Sequence, residues 1–143
     1  MKRIALIIES VQEGQYWGRV HYEDDLIVEE ASSLELLERK MKNLLKDFHG
    51  LNPKTIEFDL QYDIVGLFEE KNFLNVSAIA QLAGINSSLM RQYTAGKKFP
   101  SFERASKIIS VINEIGKDLR NVKLASLTYY QSSKPAKKKG EQV

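Results

Sequence analysis

The stretch Val76–Pro100, VSAIAQLAGINSSLMRQYTAGKKFP, decides how the chain is read, because its spacing is that of two short helices meeting at a steep angle. Such a corner needs a small residue where the helices approach most closely, one that tolerates positive φ at the turn, and apolar side chains under both helices. Ala80 stands at the close approach, Gly84 at the turn, and Ile85, Met90 and Tyr93 where the second helix must be buried. Ile79 and either Leu82 or Ala83 anchor the first helix. The combination reads as a helix-turn-helix; the alternative is a plain helical hairpin with a wet polar face.

Asn86 follows the turn and can cap the second helix through its side-chain oxygen. That leaves Ser87, Ser88, Arg91 and Gln92 on the outward face near the helix N-terminus, where recognition helices meet base edges. Arginine pairs with guanine O6 and N7, glutamine with adenine N6 and N7, and serine with either. Gly96 closes the helix, and Lys97 and Lys98 then stand where phosphates would pass. No Asp or Glu lies between Lys71 and Phe102, so nothing local would repel a polyanion. The reading therefore expects operator DNA as a partner, with a homodimer or higher homo-oligomer, since one recognition helix covers a half-site.

Working outward from that stretch, IVGLFEEKNF reads as a short helix, and SFERASKIISVINEIGKDLRNV as a longer one. The buried stripe of the longer helix is expected at Ala105, Ile108, Ile109, Ile112, Ile115 and Leu119. Upstream of residue 63 the period is two. KRIALIIES is an apolar run ending in a turn-like EGQ, YWGRVHY alternates, and Asp24-Asp25 is expected to turn the chain into LIVEEA. Ser32 or Ser33 then offers a helix cap, with Ser32 and Glu35 at capping-box spacing. Leu34, Leu37, Met41, Leu44, Leu45 and Phe48 form the stripe of that helix, and TIEFDLQYD returns to alternation.

The expected fold is thus α+β: a β-β-β-α-β antiparallel sheet over residues 1–63, an all-α helix-turn-helix region over 64–124, and a disordered basic tail over 125–143. No linker rich in Gly, Ser or Pro separates the first two regions.

Charge divides along the same line. Residues 1–70 hold 8 Lys/Arg against 15 Asp/Glu, a net of −7, and residues 71–143 hold 13 against 4, a net of +9. A basic part suits nucleic acid; an acidic part would be repelled by phosphate and suits a basic protein. There is no cysteine, which removes disulfides and thiolate metal sites, and no apolar run approaches the roughly 18 residues of a membrane span. MKRIALIIESVQE lacks the longer apolar core of a signal peptide, so a cytoplasmic location and no membrane partner are expected.

The acids of the first region raise the possibility of a metal-dependent nuclease through Glu9, Glu23, Asp24, Asp25, Glu29 and Glu30. Their placement at turns and strand ends argues instead for solvated charges. His21 and His49 stand apart from any Ser or Cys nucleophile pattern, and no Gly-rich phosphate loop or metal-ligand spacing is present. The expectation is no enzyme, no metal and no cofactor. Tyr16, Trp17 and Tyr22, with Asp24 and Asp25 beside them, are the candidate docking patch for a basic protein; a core role for Trp17 is the alternative.

With YWGRVHYEDDLIVEEASSLELLERKMKNLLKDF in the first half and NVSAIAQLAGINSSLMRQYTAGKKFPS in the second, the chain resembles the HicB-type antitoxins of bacterial toxin-antitoxin operons over roughly residues 2–124. The resemblance implies a truncated ribonuclease-H-like fold without nuclease function, which binds and masks a small basic HicA-like toxin that cleaves messenger RNA. It also implies a DNA-binding part that represses the operon. The chain has ESVQEGQYWGRV where many members carry a Pro-Asp-Leu-Pro-Gly-Cys-like stretch. The other reading is a stand-alone helix-turn-helix transcription regulator whose first region serves oligomerisation or ligand sensing.

Overall fold

The computed structural model describes residues 1–125, so the expected basic tail, Lys137, Lys138 and Lys139 included, falls outside the described residues from residue 126 onward. Among those described, the chain is a mixed α+β protein with a four-stranded sheet and five α-helices. Strands β1 (Lys2–Gln12), β2 (Gln15–Tyr22) and β3 (Asp25–Ala31) form an antiparallel meander. Glu13 and Gly14 both take positive φ in the first turn, as two-residue hairpins between right-twisted strands require. The second turn is made by Glu23, at φ 56°, and Asp24. Asp25, expected in that turn, is already paired with Tyr22.

Helix α1 (Leu34–His49) starts one residue later than the Ser32–Glu35 capping box implies: Ser33 is the cap, its Oγ accepting from the Leu36 amide at 3.1 Å. Leu37, Met41 and Leu45 are fully buried against Leu6, Ile8 and Val20. Phe48, expected in the same stripe, is 66% exposed, on the flank of the helix that lies over β3. After a short 3-10 turn, β4 (Ile56–Tyr62) joins the sheet next to β1, giving the order β3-β2-β1-β4.

Here the antiparallel expectation is corrected, because β4 runs parallel to β1 and the sheet is mixed. Alternation reveals which residues share a face but not which way a strand runs. A helical crossover over one face returns the chain in the direction of the strand it left, and the far side of the meander is its open place.

Strand β4 stops at Tyr62 while β1 continues to Gln12, and α2 (Ile64–Glu70) takes over the free edge. The Asp63 amide donates to the Ile8 carbonyl at 2.9 Å, and the Val11 amide to Glu69 Oε1 at 2.8 Å. Gly66 makes this approach possible: a methyl group there would lie 2.6 Å from the Ile8 carbonyl oxygen. The rest is α3 (Val76–Ala83), α4 (Ser87–Thr94) and α5 (Phe102–Arg120). Ile79, Ala80, Met90, Tyr93 and Ile108 bury there with Phe68 of α2 in a second apolar cluster.

Of the stripe expected on α5, Ile108 alone is fully buried; Ala105, Ile112 and Ile115 are half-buried, and Ile109 and Leu119 are exposed. The reason for Ile109 is direction: successive residues lie about 100° apart around a helix, so it points away from the cluster that buries Ile108 and on which Ile112 and Ile115 pack.

Candidate nucleic-acid interface

Asn75 opens α3 by accepting from the Ala78 amide at 3.0 Å, and Asn86 opens α4 by accepting from the amides of Ser88 and Leu89 at 2.8 and 3.3 Å. Gly84 lies between them at φ 71°, a conformation that costs a residue with a Cβ roughly 1–2 kcal/mol. The Ile85 amide donates back to the Ala80 carbonyl at 2.9 Å, which closes the end of α3, and α4 starts two residues later. Ala80 and Met90 are fully buried, as are Ile79 and Tyr93 to within 2%. Of the two alternatives for the first helix, Ala83 is buried and Leu82 is 66% exposed.

With one side of α4 committed to the core, its sequence has nowhere to place Ser88 and Arg91 but outward, and both are exposed; Ser87 and Gln92 are half-exposed beside them. The amides of Lys97 and Lys98 donate to the Gln92 carbonyl at 2.9 and 3.3 Å, which folds the following loop back against the end of α4. Both lysine side chains are exposed. Among the described residues, Arg91, Lys97 and Lys98 enter no salt bridge. The seven candidate residues therefore lie along α4 and at both its ends: Asn86 at the start, Ser87, Ser88, Arg91 and Gln92 on the helix, and Lys97 and Lys98 in the loop after it.

Arg104 is a positioning residue the sequence reading missed. Its Nη1 donates to the Tyr93 hydroxyl at 3.2 Å and ties α5 to α4. Nothing in the local sequence sets it apart from the other exposed bases, because the contact spans eleven residues.

The candidate docking residues are divided instead of assembled. The register pairs Tyr16 with Ala31 and Tyr22 with Asp25 on the face toward α1, and Trp17 with Glu30 on the other. Tyr16 donates to Glu70 Oε2 at 3.0 Å, and Tyr22 meets the His49 ring edge-on with centroids 4.9 Å apart. Asp25 accepts from or ion-pairs with His49 at 3.1 Å, while Asp24 is exposed at the turn. Trp17 is exposed on the face away from α1, with Leu26 and Val28 of β3 also about half-exposed there. The sheet therefore offers an apolar surface beside acids, but built on Trp17, Leu26 and Val28 and not on the two tyrosines.

Several other acids have partners within the chain. Arg19 holds Glu9 at 2.9 Å and Asp63 through two bonds at 2.6 and 3.2 Å, so the Asp63 carboxylate does not cap α2. Hydrogen bonding to Asp63 raises the Arg19 pKa further above its ordinary value, against the opposing effect of burial. Glu29 accepts from the Glu30 amide and Glu30 from Gln15. Glu70 is the hub between sheet and helices, accepting from Tyr62 at 2.5 Å and Tyr16 at 3.0 Å. Burial alone would raise its pKa, but hydrogen bonds from Tyr62, Tyr16 and Lys71 outweigh it and hold Glu70 below the ordinary glutamate value. Burial first, then the bonds to Glu70, raise both tyrosines. Among the described residues, no group of three or more His, Asp or Glu is arranged to hold a metal ion, and no helix is long and apolar enough to cross a membrane.

No family model, curated protein or solved structure matches the chain.

Proposed function

We propose that the chain is a DNA-binding antitoxin of the HicB kind, whose α3–α4 corner reads an operator as a helix-turn-helix while its acidic sheet region masks a small basic toxin. The observation that carries the reading is α4: capped by Asn86, buried on one side, and presenting Ser88 and Arg91 outward, with exposed Lys97 and Lys98 after its end that enter no salt bridge among the described residues. Arginine and serine there have the donors for base edges, and the lysines would contact phosphate and fix the register. The toxin half of the reading rests on the resemblance, and is supported by the −7 charge of residues 1–70 and by exposed Trp17 beside Glu30.

The test is fluorescence anisotropy with the duplex upstream of the protein's own reading frame and with a scrambled duplex of equal length. Preference for the upstream duplex by about 10³-fold or more is expected, as for other specific binders. Equal affinity for the two would overturn it. Co-expression with the neighbouring reading frame should also recover a stable complex with a short basic protein. Operator binding without such a complex would leave the stand-alone regulator.

A further inference from the structure

Strand β3 is an edge of the sheet, and half of that edge is open. The turn of Glu23 and Asp24 closes on the pair Tyr22–Asp25, and residues that close such a hairpin exchange both backbone bonds. Bonding alternates along an antiparallel pair, so Ile27 and Glu29 also bond to β2, while Leu26, Val28 and Glu30 turn their amides and carbonyls outward. Two side chains close the edge at Glu30: its amide donates to Glu29 Oε1 at 2.9 Å, and its carbonyl accepts from Lys40 Nζ at 2.9 Å. Among the described residues nothing bonds to the outward groups of Leu26 and Val28. Sheet edges are ordinarily blunted against further pairing. This one is blunted at one end.

Side chains around the open half are the second observation. Toward α1 a groove runs between strand and helix, lined by Ile27, Leu44 and Phe48 and by two charged residues, Asp25 and Glu29. Both charges are acids. Glu29 enters no salt bridge among the described residues, and Asp25 meets the His49 ring alone. On the other face Leu26 and Val28 are about half-exposed.

We propose that the open half of β3 receives an extended basic segment of a partner protein as a fifth strand. An antiparallel strand with residues opposite Leu26 and Val28 would exchange both backbone bonds with each. Its side chain opposite Ile27 would enter the groove against Leu44 and Phe48, and those opposite Asp25 and Glu29 would meet carboxylates on the same face. The segment that fits is an apolar run flanked by bases. A second copy of the chain does not fit: antiparallel pairing of two β3 strands about Ile27 sets Asp25 against Glu29 at both ends, and like charges directly opposite destabilise a sheet. The inference deepens the toxin half of the proposed function, and rests on that reading for the partner's identity.

The probe is a fluorescein-labelled peptide, valine-leucine-valine between two lysines, titrated with the full chain and followed by anisotropy. Binding is expected, and replacing the lysines with glutamate should abolish it. Methylating the amides of both valines, which face β3, should weaken binding about 10-fold or more; methylating that of the leucine, which faces away, should change it less than about 3-fold. In the protein, Val28→Pro removes an outward amide without touching the β2 ladder and should cost about 10-fold, whereas Val28→Ala keeps the amide and should cost less than about 3-fold. The methylated peptides leave the protein unaltered, so they read the backbone pairing even where Val28→Pro fails to fold. No binding, equal losses for the two methylated peptides, or equal binding of the glutamate form would each overturn the proposal. A complex with the short basic protein of the neighbouring reading frame that Val28→Pro leaves unweakened would overturn it too, while the antitoxin reading stands. Peptide binding in the expected pattern with no such complex would support the edge site and remove the antitoxin reading.

Discussion

The sheet region and the helical region treat their charged side chains in opposite ways. Around the sheet, charges that matter to the architecture are satisfied internally: Arg19 by Glu9 and Asp63, and Glu70 by two tyrosines and Lys71. At the end of α4, Arg91, Lys97 and Lys98 have no ion-pair partner among the described residues. A paired charge holds the fold; exposed bases of one sign on a helix and in the loop after it give a positive surface that suits an anionic ligand. Composition alone, +9 in one part and −7 in the other, would not distinguish these two conditions.

The contrast breaks most heavily at the core that presents α4. Met90→Ala removes a fully buried side chain and should cost about 2–5 kcal/mol in urea-unfolding experiments. Operator affinity should fall only at temperatures where the variant begins to unfold.

At the junction, Glu70→Gln should cost about 1.5–3 kcal/mol, the worth of hydrogen bonds to a charged acceptor. The pH dependence sharpens this. Because the folded Glu70 pKa is lowered, its contribution is complete above the ordinary glutamate range and is lost as pH falls through the folded value. The tyrosines are raised, so their contribution is complete below the ordinary tyrosine range and is lost as pH rises through their folded values. Urea midpoints followed against pH should show an acid-side decline in wild type that Glu70→Gln reduces.

At the other extreme, Arg3 and Asp59 lie 3.9 Å apart and both are well exposed. Arg3→Ala should change stability by less than about 0.5 kcal/mol, the usual scale for such a pair. A larger loss in chemical denaturation would show that the sheet's surface charges carry more than the geometry implies.

Much of this was legible in the sequence where a local pattern dictates a local outcome. Asn86 caps α4, Gly84 makes the turn, and Leu37, Met41 and Leu45 repeat at helical spacing and are buried. What escaped were features that depend on partners distant along the chain. The parallel β1–β4 pairing follows from where the crossover lands, which alternation does not encode. Glu70 finds Tyr16 across 54 residues, and Gly66 is needed only because β1 lies beneath it. The aromatic patch divided for a simpler reason: Tyr16 and Trp17 are adjacent in a strand, and adjacent side chains point to opposite faces. Ile109 and Leu119 of α5 fit the apolar stripe and are nevertheless exposed, because a helical period reports an apolar face but not what covers it.

The central claim, that the outward face of α4 reads base sequence while the lysines after it contact backbone, is tested most directly by one set of anisotropy titrations. Arg91→Ala and Lys97→Ala are each measured on the upstream duplex and on a scrambled one across a series of salt concentrations. The account predicts that Arg91→Ala loses about 1–3 kcal/mol on the upstream duplex and much less on the scrambled one. It predicts that Lys97→Ala weakens both similarly and lowers the salt slope by about 1. Equal losses on both duplexes for both variants would contradict it.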